Sequence, residues 1–268
     1  RKYPKISDIA MTVIDEAHNI CATVFSTVLF KYSSLYMIGL SATPERKTDG
    51  LGCILEWTFG KFITVTVEHQ QVVNINVIRS EIQITEKLLR FTDKLNIQDA
   101  INQLTTNNTR NNLVIKNIKK YKHRNILVVT DRVNHVKFIH EKLKEWNILS
   151  SIFIGGMKQI DRELAIQSNI LVATYQMVKE GFDLPKLDVL LFASPKKDII
   201  QVTGRILRKI HDKSPVIIDI YDETSVFKRW GYDRFRFYKQ NGYKFLKNIV
   251  DLEEPETFVY SDCFSDNC

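Results

Sequence analysis

Cysteine is scarce in this sequence, which has four cysteines in 268 residues: Cys21, Cys53, Cys263 and Cys268. No two of them form a C-x-x-C pair, and no histidine lies at zinc-finger spacing from them. The sequence therefore predicts no structural metal site. So few cysteines also favour a reducing compartment over a secreted, disulfide-stabilised protein.

Long apolar segments are absent as well. No stretch reaches the roughly 18 consecutive apolar residues that indicate a membrane-spanning helix. The first residues, RKYPKISD, lack the apolar run of a secretory signal peptide. We therefore expect an intracellular protein without a membrane helix.

A phosphate-binding loop of the form G-x-x-x-x-G-K-[ST] is missing from the sequence. The pair Gly60-Lys61 is followed by Phe62, and no glycine stands five positions before Gly60. The chain thus lacks the element with which many ATPases hold the β- and γ-phosphates.

Positive charge, by contrast, is in excess. The chain has 38 Lys and Arg against 31 Asp and Glu, and its net charge is +7. Six of the acidic residues and none of the basic ones lie in 251–268, so residues 1–250 carry a net charge of +13. A basic body favours a polyanionic partner, nucleic acid first, although solubility alone also explains a basic surface.

Short β-branched runs alternate with helical patterns along the chain. Several runs are apolar throughout, as strands covered on both faces are. The runs lie at 10–14, 36–40, 63–67, 72–78, 126–130, 151–154, 169–173, 188–193 and 215–220. Helical patterns lie at 99–121, 136–146 and 198–211. This order predicts an α/β protein with mostly parallel sheets.

The domain boundaries are expected near 80 and 250. The chain would then consist of a first domain over 1–80, a second domain over 81–250 and an acidic tail over 251–268. Within these, the polar sequence PERKTDGLG (44–52) is predicted as a loop, and TTNNTRNN (105–112) as a loop or a helix boundary.

The first candidate site is VIDEAHNI (13–20), where an apolar strand ends in Asp15, Glu16 and His18. Two interpretations are open at this point. Carboxylates suit the N-terminal end of a helix, so the pair can simply open one. Alternatively, a strand that delivers an aspartate to its carboxyl edge can hold Mg²⁺ beside a nucleotide, and the next glutamate can polarise the attacking water.

Two further signals follow strands. The run MIGL ends in Ser41, Ala42 and Thr43, which we expect near the acidic pair because neighbouring parallel strands end at one edge of a sheet. In VATYQMVKEGFDLP (172–185), Gly181 permits a turn and Asp183 can accept hydrogen bonds from a ribose. Each of these patterns is weak when taken alone.

The most specific signal is QVTGRILR (201–208). Arg205 and Arg208 are three residues apart and share a helix face, and their guanidinium groups match phosphate oxygens. An ordinary surface helix can carry two arginines at this spacing. That interpretation becomes less convincing because Gln201 and Gly204 accompany the two arginines and because the three other signals precede them in order along the chain.

DEAH, SAT, EGFD and QVTGRILR together resemble motifs II, III, V and VI of superfamily 2 helicases, from residue 13 to about residue 208. The sequence GLSATPERKTDGLG is closer to the XPB/UvsW-like branch than to the DEAH RNA helicases. Within that branch the chain resembles the poxvirus transcript-release helicase and its African swine fever virus relative. The resemblance implies tandem RecA-like domains, ATP and Mg²⁺ as cofactors, and nucleic acid as partner, DNA more than RNA. For a viral protein it implies the host cytoplasm or the virion.

The resemblance also implies roles for the matching residues. Asp15 would position Mg²⁺, Glu16 would orient the attacking water, and Arg205 and Arg208 would be arginine fingers. Nucleotide contacts would come from His18, Gly181, Asp183 and Gln201, and coupling to nucleic acid from His18, Ser41, Ala42 and Thr43. The acidic residues and the arginine fingers belong to different domains. ATP binding would therefore close the cleft between the two domains, and ATP hydrolysis would release that closure.

Three strand ends are candidate nucleic-acid contacts. Arg132 follows a strand at the position of motif IV, Gly155-Gly156 follows another, and Thr174 ends a third. Backbone amides and hydroxyls at such edges can bind phosphates without reading sequence.

The stretch FKRWGYDRFRFYKQNGYKFLKN (227–248) mixes basic and aromatic residues. Base stacking with phosphate pairing is one interpretation. The other, which we favour, is an amphipathic packing helix that Asn241-Gly242 would end, with its basic side open to nucleic acid.

The sequence departs from the family in the phosphate loop. In these helicases that loop lies well upstream of DEAH, but in this sequence only fourteen residues precede Asp15, the first residue of DEAH. We therefore expect a carboxyl-terminal fragment with an incomplete first RecA-like domain and a complete second one. Its function would be part of an ATP-dependent DNA helicase or translocase that acts on duplex or branched DNA or in viral transcription. The motifs do not separate this from an RNA helicase. A non-catalytic nucleic-acid-binding or scaffold protein without a phosphate loop is the alternative.

Overall fold

The computed structural model describes residues 6–21, 26–27, 32–41, 51–63, 71–89, 92–179, 186–206 and 209–246. The chain divides into two compact units, Arg1–Glu68 and His69–Cys268. No helix in these ranges is long and apolar enough to cross a membrane.

The first unit is built on two parallel strands. Its elements are β1 (Ile6–Ile14), a 3₁₀ helix (Ala17–Cys21), β2 (Tyr32–Gly39) and α1 (Cys53–Phe59). β1 pairs with β2 so that Ile14 lies opposite Gly39, and both strands therefore end at the same edge. A small buried core joins the helices and comprises Ala17, Ile20, Cys21 and Leu55.

α1 begins directly after the polar sequence PERKTDGLG (44–52), at a position where the sequence predicted no helix, and residues 44–50 of the predicted loop lie outside the described residues. The polar sequence before it suggested a loop, but the apolar CILEWTF buries Leu55 in the core of the unit. A Cβ on Gly39 would lie 2.9 Å from the Phe59 ring, so the absence of a side chain there lets α1 pack closely on the end of β2. Gly60, with a φ of +84°, ends the helix in a conformation that glycine adopts readily.

The second unit is built around a seven-stranded sheet. Its strands are β3 (Asn74–Ser80), β6 (Ile126–Thr130), β7 (Ser151–Phe153), β8 (Ile170–Thr174), β9 (Val189–Phe192), β10 (Val216–Asp222) and β11 (Lys244–Phe245). Their order across the sheet is β11-β3-β10-β9-β6-β8-β7, and every neighbouring pair is parallel. Two short strands, β4 (Leu88–Leu89) and β5 (Thr92–Leu95), form a separate antiparallel pair. The predicted α/β class with parallel sheets is confirmed.

The central strands are apolar because both faces of the sheet are covered. All residues of β6, β8, β9 and β10 are buried. Alternate residues of β6 contribute to two different clusters, Leu127 and Val129 to one and Ile126 and Val128 to the other. Uninterrupted apolar runs of this kind are expected for parallel strands between two layers of helices.

The helices of the second unit connect these strands. They are α2 (Ile97–Thr106), α3 (Asn108–Lys120), α4 (Val133–Glu145), α5 (Gln159–Ala165), α6 (Tyr175–Lys179), α7 (Ile200–Ile206) and α8 (Ser225–Gln240). The helical pattern over 99–121 is divided at Asn107, whose side chain accepts a hydrogen bond from the Arg110 N–H and caps α3. The TTNNTRNN segment is thus a helix boundary, one of the two outcomes expected for it.

α8 is the amphipathic packing helix favoured for the aromatic and basic stretch. Phe227, Arg234 and Tyr238 are among its buried residues, and Asn241 follows its last turn. Gly242 then has a φ of +67°, in agreement with the expected helix end.

β3 joins the second sheet between β11 and β10, so residues 74–80 belong to the second unit. The division lies between Glu68 and His69, whereas the sequence led us to expect it near residue 80. The apolar run at 72–78 indicated a strand, but its partner β10 lies far away in sequence, and local pattern carries no information on such pairing.

Two buried ion pairs fix helices to the end of β10. Arg110 of α3 donates from Nε and Nη2 to the two carboxylate oxygens of Asp222 at 2.7 and 2.9 Å. Arg234 of α8 pairs in the same way with Asp219, at 2.8 and 2.7 Å, and Tyr238 Oη also donates to Asp219 at 2.8 Å. Buried charges of this kind require paired, hydrogen-bonded partners.

Candidate functional site

The carboxyl ends of β1 and β2 bring the first two motifs into contact. The Leu40 N–H donates to the Ile14 carbonyl at 2.8 Å, and the Ala17 N–H donates to the Leu40 carbonyl at 2.9 Å. These bonds hold the DEAH segment beside the residues that follow β2, which is the proximity expected from parallel strands that end at one edge.

His18 contacts residues of both motifs. Its Nδ1 lies 3.0 Å from Ser41 Oγ and 3.3 Å from Glu16 Oε2. Glu16 and Ser41 thus both lie within reach of the same ring nitrogen of His18. Ala42 and Thr43 lie outside the described residues.

Asp15 and Glu16 are both exposed at the end of β1. Asp15 Oδ1 accepts a hydrogen bond from the Glu16 N–H at 2.8 Å. The Ala17–Cys21 helical turn follows directly, as the simpler interpretation of the acidic pair expects. Glu16, however, has a φ of +51°, a conformation that costs a non-glycine residue about 1–3 kcal/mol and that the start of a helix does not require.

The donor chemistry of Asp15 fits Mg²⁺, which binds oxygen ligands and is often held by one or two carboxylates together with substrate phosphates and water. Within the described ranges, no group of three or more His, Cys, Asp or Glu side chains could hold a metal ion by itself. An ion bound at Asp15 would therefore need the phosphates of a nucleotide to complete its coordination.

In the second unit, the predicted nucleic-acid residues lie along one edge of the sheet. Arg132, Gly155-Gly156 and Thr174 follow or end β6, β7 and β8, which are neighbours in the order β6-β8-β7. Gly155 and Gly156 are exposed, and nothing lies within 4 Å of a Cβ built on either one. Their backbone is thus open to a ligand, and the φ of +81° at Gly156 favours glycine there.

Arg132 is held in place on the start of α2. Its Nη2 donates to the Gln98 carbonyl at 3.0 Å and contacts Gln98 Oε1. Its Nε is buried and has no hydrogen-bond partner among the residues that the structure describes. The guanidinium group is therefore oriented by its contacts with Gln98.

The sequence did not predict a buried series of hydrogen-bonded polar side chains that begins close to Arg132. His135 Nδ1 lies 2.8 Å from Thr130 Oγ1, and its Nε2 lies 2.9 Å from Asn111 Oδ1. Asn111 in turn donates to the Thr105 carbonyl at 2.9 Å. Burial, with a smaller contribution from the Arg110 charge, lowers the pKa of His135 from 6.5 to about 3, so the ring is neutral. The sequence feature that could have indicated this network is a histidine in α4 next to the apolar residues Val136 and Ile139, which lie on the buried side of the helix.

A second group at this edge was also missed. Lys196 Nζ donates to Asp131 Oδ1 at 2.9 Å, and the Asp131 N–H donates to Ser194 Oγ at 2.9 Å. The hydroxyl of Tyr175 donates to the Ser194 carbonyl at 2.9 Å, and burial raises its pKa well above 10. Ser194 and Lys196 directly follow β9, and this position after a strand could have identified both of them from the sequence.

The last motif is described in part. Gln201 and Arg205 lie on α7, both partly exposed, and Arg205 Nη2 donates to the Lys179 carbonyl at 3.1 Å. This bond brings the arginine to the end of α6, directly before the EGFD segment. Gly181, Asp183 and Arg208 lie outside the described residues.

Comparisons with known proteins identify a family model and viral relatives that are similar to this chain. Residues 109–210 match the family model described as the helicase conserved C-terminal domain. L396 of Acanthamoeba polyphaga mimivirus, named as a candidate ATP-dependent RNA helicase, is 30% identical over 91% of this chain and 49% of its own length. QP509L of African swine fever virus, isolate Pig/Kenya/KEN-50/1950, carries the same kind of name and is 23% identical over 99% of this chain and 58% of its own length.

Among solved structures, the crystal structure of T4 UvsW is similar over 91% of this chain and 55% of that chain, with a TM-score of 0.49 and 20% sequence identity. The chain spans about half the length of the curated relatives it matches. The resemblance to viral helicases that the four motifs predicted is confirmed by the family model and by the viral relatives.

Proposed function

We infer, from the match to the helicase conserved C-terminal domain and from the similarity to viral helicases, that this chain is part of an ATP-dependent helicase or translocase. The observation that carries the proposal is the contact of His18 with both Glu16 and Ser41. It links the acidic pair that would act on ATP to the segment after β2 that would respond to nucleic acid. Such a link is what a motor needs in order to couple hydrolysis to movement.

The nucleotide chemistry would be electrostatic. Asp15 would hold Mg²⁺, which neutralises charge on the β- and γ-phosphates, and Glu16 would orient the attacking water. Arg205 and Arg208 would place positive charge where negative charge develops during phosphoryl transfer. His18, Gln201, Gly181 and Asp183 would complete the contacts with the nucleotide.

Exposed apolar residues support the proposal that the first unit is completed by further chain. Leu35 is 77% exposed and Tyr36 is 63% exposed on β2, and Met11 and Val13 are more than half exposed on β1. Parallel strands are almost always covered on both faces. We propose that the remainder of a RecA-like domain, with its phosphate loop, covers these residues in the complete protein.

We propose duplex or branched DNA as the substrate, with a role in viral transcription. Support comes from the net charge of +13 over residues 1–250 and from the viral relatives. L396 and QP509L are both named as RNA helicases, so an RNA substrate is the direct competitor.

A non-catalytic nucleic-acid-binding or scaffold protein is the second candidate function. One observation favours it, the lack of a G-x-x-x-x-G-K-[ST] sequence in the chain. A scaffold would have no need for a coupled His18, Glu16 and Ser41, and we therefore rank it below the motor.

The test is to replace the arginines in the complete protein that contains this chain. Arg205→Ala and Arg208→Ala should each lower kcat for ATP hydrolysis by roughly 10³-fold, as removal of an arginine finger does. DNA affinity without nucleotide, measured on the same samples, should stay near that of the parent. Arg236→Ala on the exposed side of α8 removes an equal charge and should leave kcat unchanged.

The opposite pattern would reject the motor assignment. If these arginines contact the strand instead, DNA affinity falls and loses part of its salt dependence, while turnover at saturating ATP and DNA survives.

A further inference from the structure

Two adjoining depressions run along the helices α2, α3 and α4 of the second unit. The first, of about 660 Å³, lies beside Arg132, Asn134 and Asn102. The second, of about 570 Å³, lies beside Lys116, Lys119 and Trp146. Asn111 and Phe138 line both of them, and the two neighbouring depressions together are here called the α3–α4 groove.

The α3–α4 groove leads away from the edge at which the predicted nucleic-acid residues lie. α4 begins directly after Arg132, at the carboxyl end of β6, and runs back to Trp146, which is its C-cap. A helix of 13 residues is about 20 Å long, a distance that several nucleotides of an extended strand can span. A strand that reached Arg132 could therefore continue down this flank of the sheet.

The second half of the groove is basic. Lys116, Lys119 and Lys142 line it, and the residues that line its described parts include no Asp or Glu. α3, which supplies one wall, has the sequence NTRNNLVIKNIKK and contains no acidic residue. Lys142 is paired with Glu145 at 2.8 Å, so the net attraction for an anion comes mainly from Lys116 and Lys119.

Trp146 adds an aromatic surface at the far end of the groove. Trp146 is 59% exposed, whereas Val136, Ile139 and Leu143, which precede it on α4, are fully buried. Lys119 Nζ lies over one face of its ring, 2.6 Å from the centre, so a base would stack on the opposite face or displace this lysine. An exposed indole beside lysines can stack on a base while the lysines pair with phosphates.

We propose that the α3–α4 groove binds a segment of single-stranded nucleic acid, with a base on Trp146 and phosphates at Lys116 and Lys119. Side-chain amides of Asn108 and Asn112, which also line the groove, would donate to phosphate oxygens. An acidic polypeptide would satisfy the lysines, but its carboxylate side chains do not stack on an indole, whereas every nucleotide carries both a phosphate and a base, so the geometry favours the nucleic acid. The proposal rests on the nucleic-acid partner of the proposed function and adds a path outside the four helicase motifs.

The experiment measures the affinity of the 268-residue chain for a fluorescein-labelled oligothymidine of about 12 nucleotides, within the usual range of site sizes. Trp146→Ala should weaken binding by roughly 10-fold or more, the effect of losing one stacked base. Lys116→Gln/Lys119→Gln should weaken binding and reduce the slope of log affinity against log salt by about 1 to 1.5, because two phosphate contacts of a single strand are lost.

Two control variants match these changes. Trp57→Ala removes an indole that is 80% exposed in the first unit. Lys137→Gln/Lys144→Gln removes two exposed charges of α4 that do not line the groove. Both controls should bind the oligonucleotide nearly as the parent does, and circular dichroism should show that all variants are folded.

The outcomes separate this proposal from the proposed function. If the parent binds and the groove variants bind equally well, the groove proposal is wrong and the nucleic-acid partner stands. If a labelled polyglutamate binds the parent but not the lysine variant, while oligonucleotide binding is unchanged, the groove is a site for an acidic polypeptide and the proposal is overturned. If the parent chain does not bind the oligonucleotide at low salt, the groove proposal fails, whereas the proposed function is tested separately by the arginine variants of the complete protein.

Discussion

His135 is a buried histidine that the protein keeps neutral, and it should make the stability of the second unit depend on pH. Burial lowers its pKa from 6.5 to about 3. Below about pH 6.5 the unfolded chain takes up a proton at this position, whereas the folded chain does not until about pH 3. The free energy of unfolding should therefore fall by about 1.4 kcal/mol per pH unit over this window on account of His135 alone.

The variant His135→Gln tests this dependence, because glutamine has no proton to gain. Between pH 7 and pH 5, the unfolding free energy of the parent should fall by about 2 kcal/mol more than that of the variant. Urea unfolding at the two pH values, followed by circular dichroism, gives the comparison. Equal losses in the two proteins would show that His135 is not kept neutral in the fold.

At the scale of single residues, the sequence allowed us to predict which residues follow strands, but not which side chains pair with one another. Asp15, Glu16, His18 and Ser41 were singled out because each follows a strand, and the structure brings His18, Glu16 and Ser41 into contact. The pairs Arg110–Asp222 and Arg234–Asp219 were not foreseen. Each joins a helix to β10 from another part of the chain, and one sequence carries no local pattern that identifies such a partner.

At the scale of elements, the two units differ in how their strands are protected. β1 and β2 form a two-stranded sheet with exposed apolar side chains such as Leu35, whereas the central strands of the second sheet are buried throughout. Two strands alone are marginally stable in water, and stability against local opening follows burial.

Hydrogen exchange should reveal this difference. In the 268-residue chain, amides of β1 and β2 that are bonded between the strands should exchange at least roughly 100-fold faster than those of β6 and β8. In the complete protein the same amides should slow, since further chain would cover the sheet. Equal protection of both sheets in the 268-residue chain would contradict the view that the first unit needs such a cover.

Element prediction succeeded where apolar runs were continuous and failed where partners were distant or helices were short. The runs at 126–130 and 169–173 became β6 and β8 nearly residue for residue. α1 was not predicted because it has only seven residues, too few to show a clear helical periodicity, and because it follows a polar, glycine-containing segment. The break between α2 and α3 could be suspected from the Asn/Thr cluster, since asparagine caps helices.

At the scale of the whole molecule, the central claim is that this chain contributes half of the machinery for ATP hydrolysis. It supplies the acidic pair and the arginines, and its sequence has no phosphate loop. The 268-residue chain alone should therefore show negligible turnover, while the complete protein should hydrolyse ATP at a rate that nucleic acid increases.

The most direct test compares the complete protein with its Glu16→Gln variant for ATP hydrolysis, with and without single-stranded and duplex DNA and RNA. Glutamine is close in shape to glutamate and lacks the charge that polarises water, so the variant should fold and bind MgATP but lose nucleic-acid-stimulated turnover. Retention of parental turnover by Glu16→Gln in a preparation free of other ATPases would contradict the account.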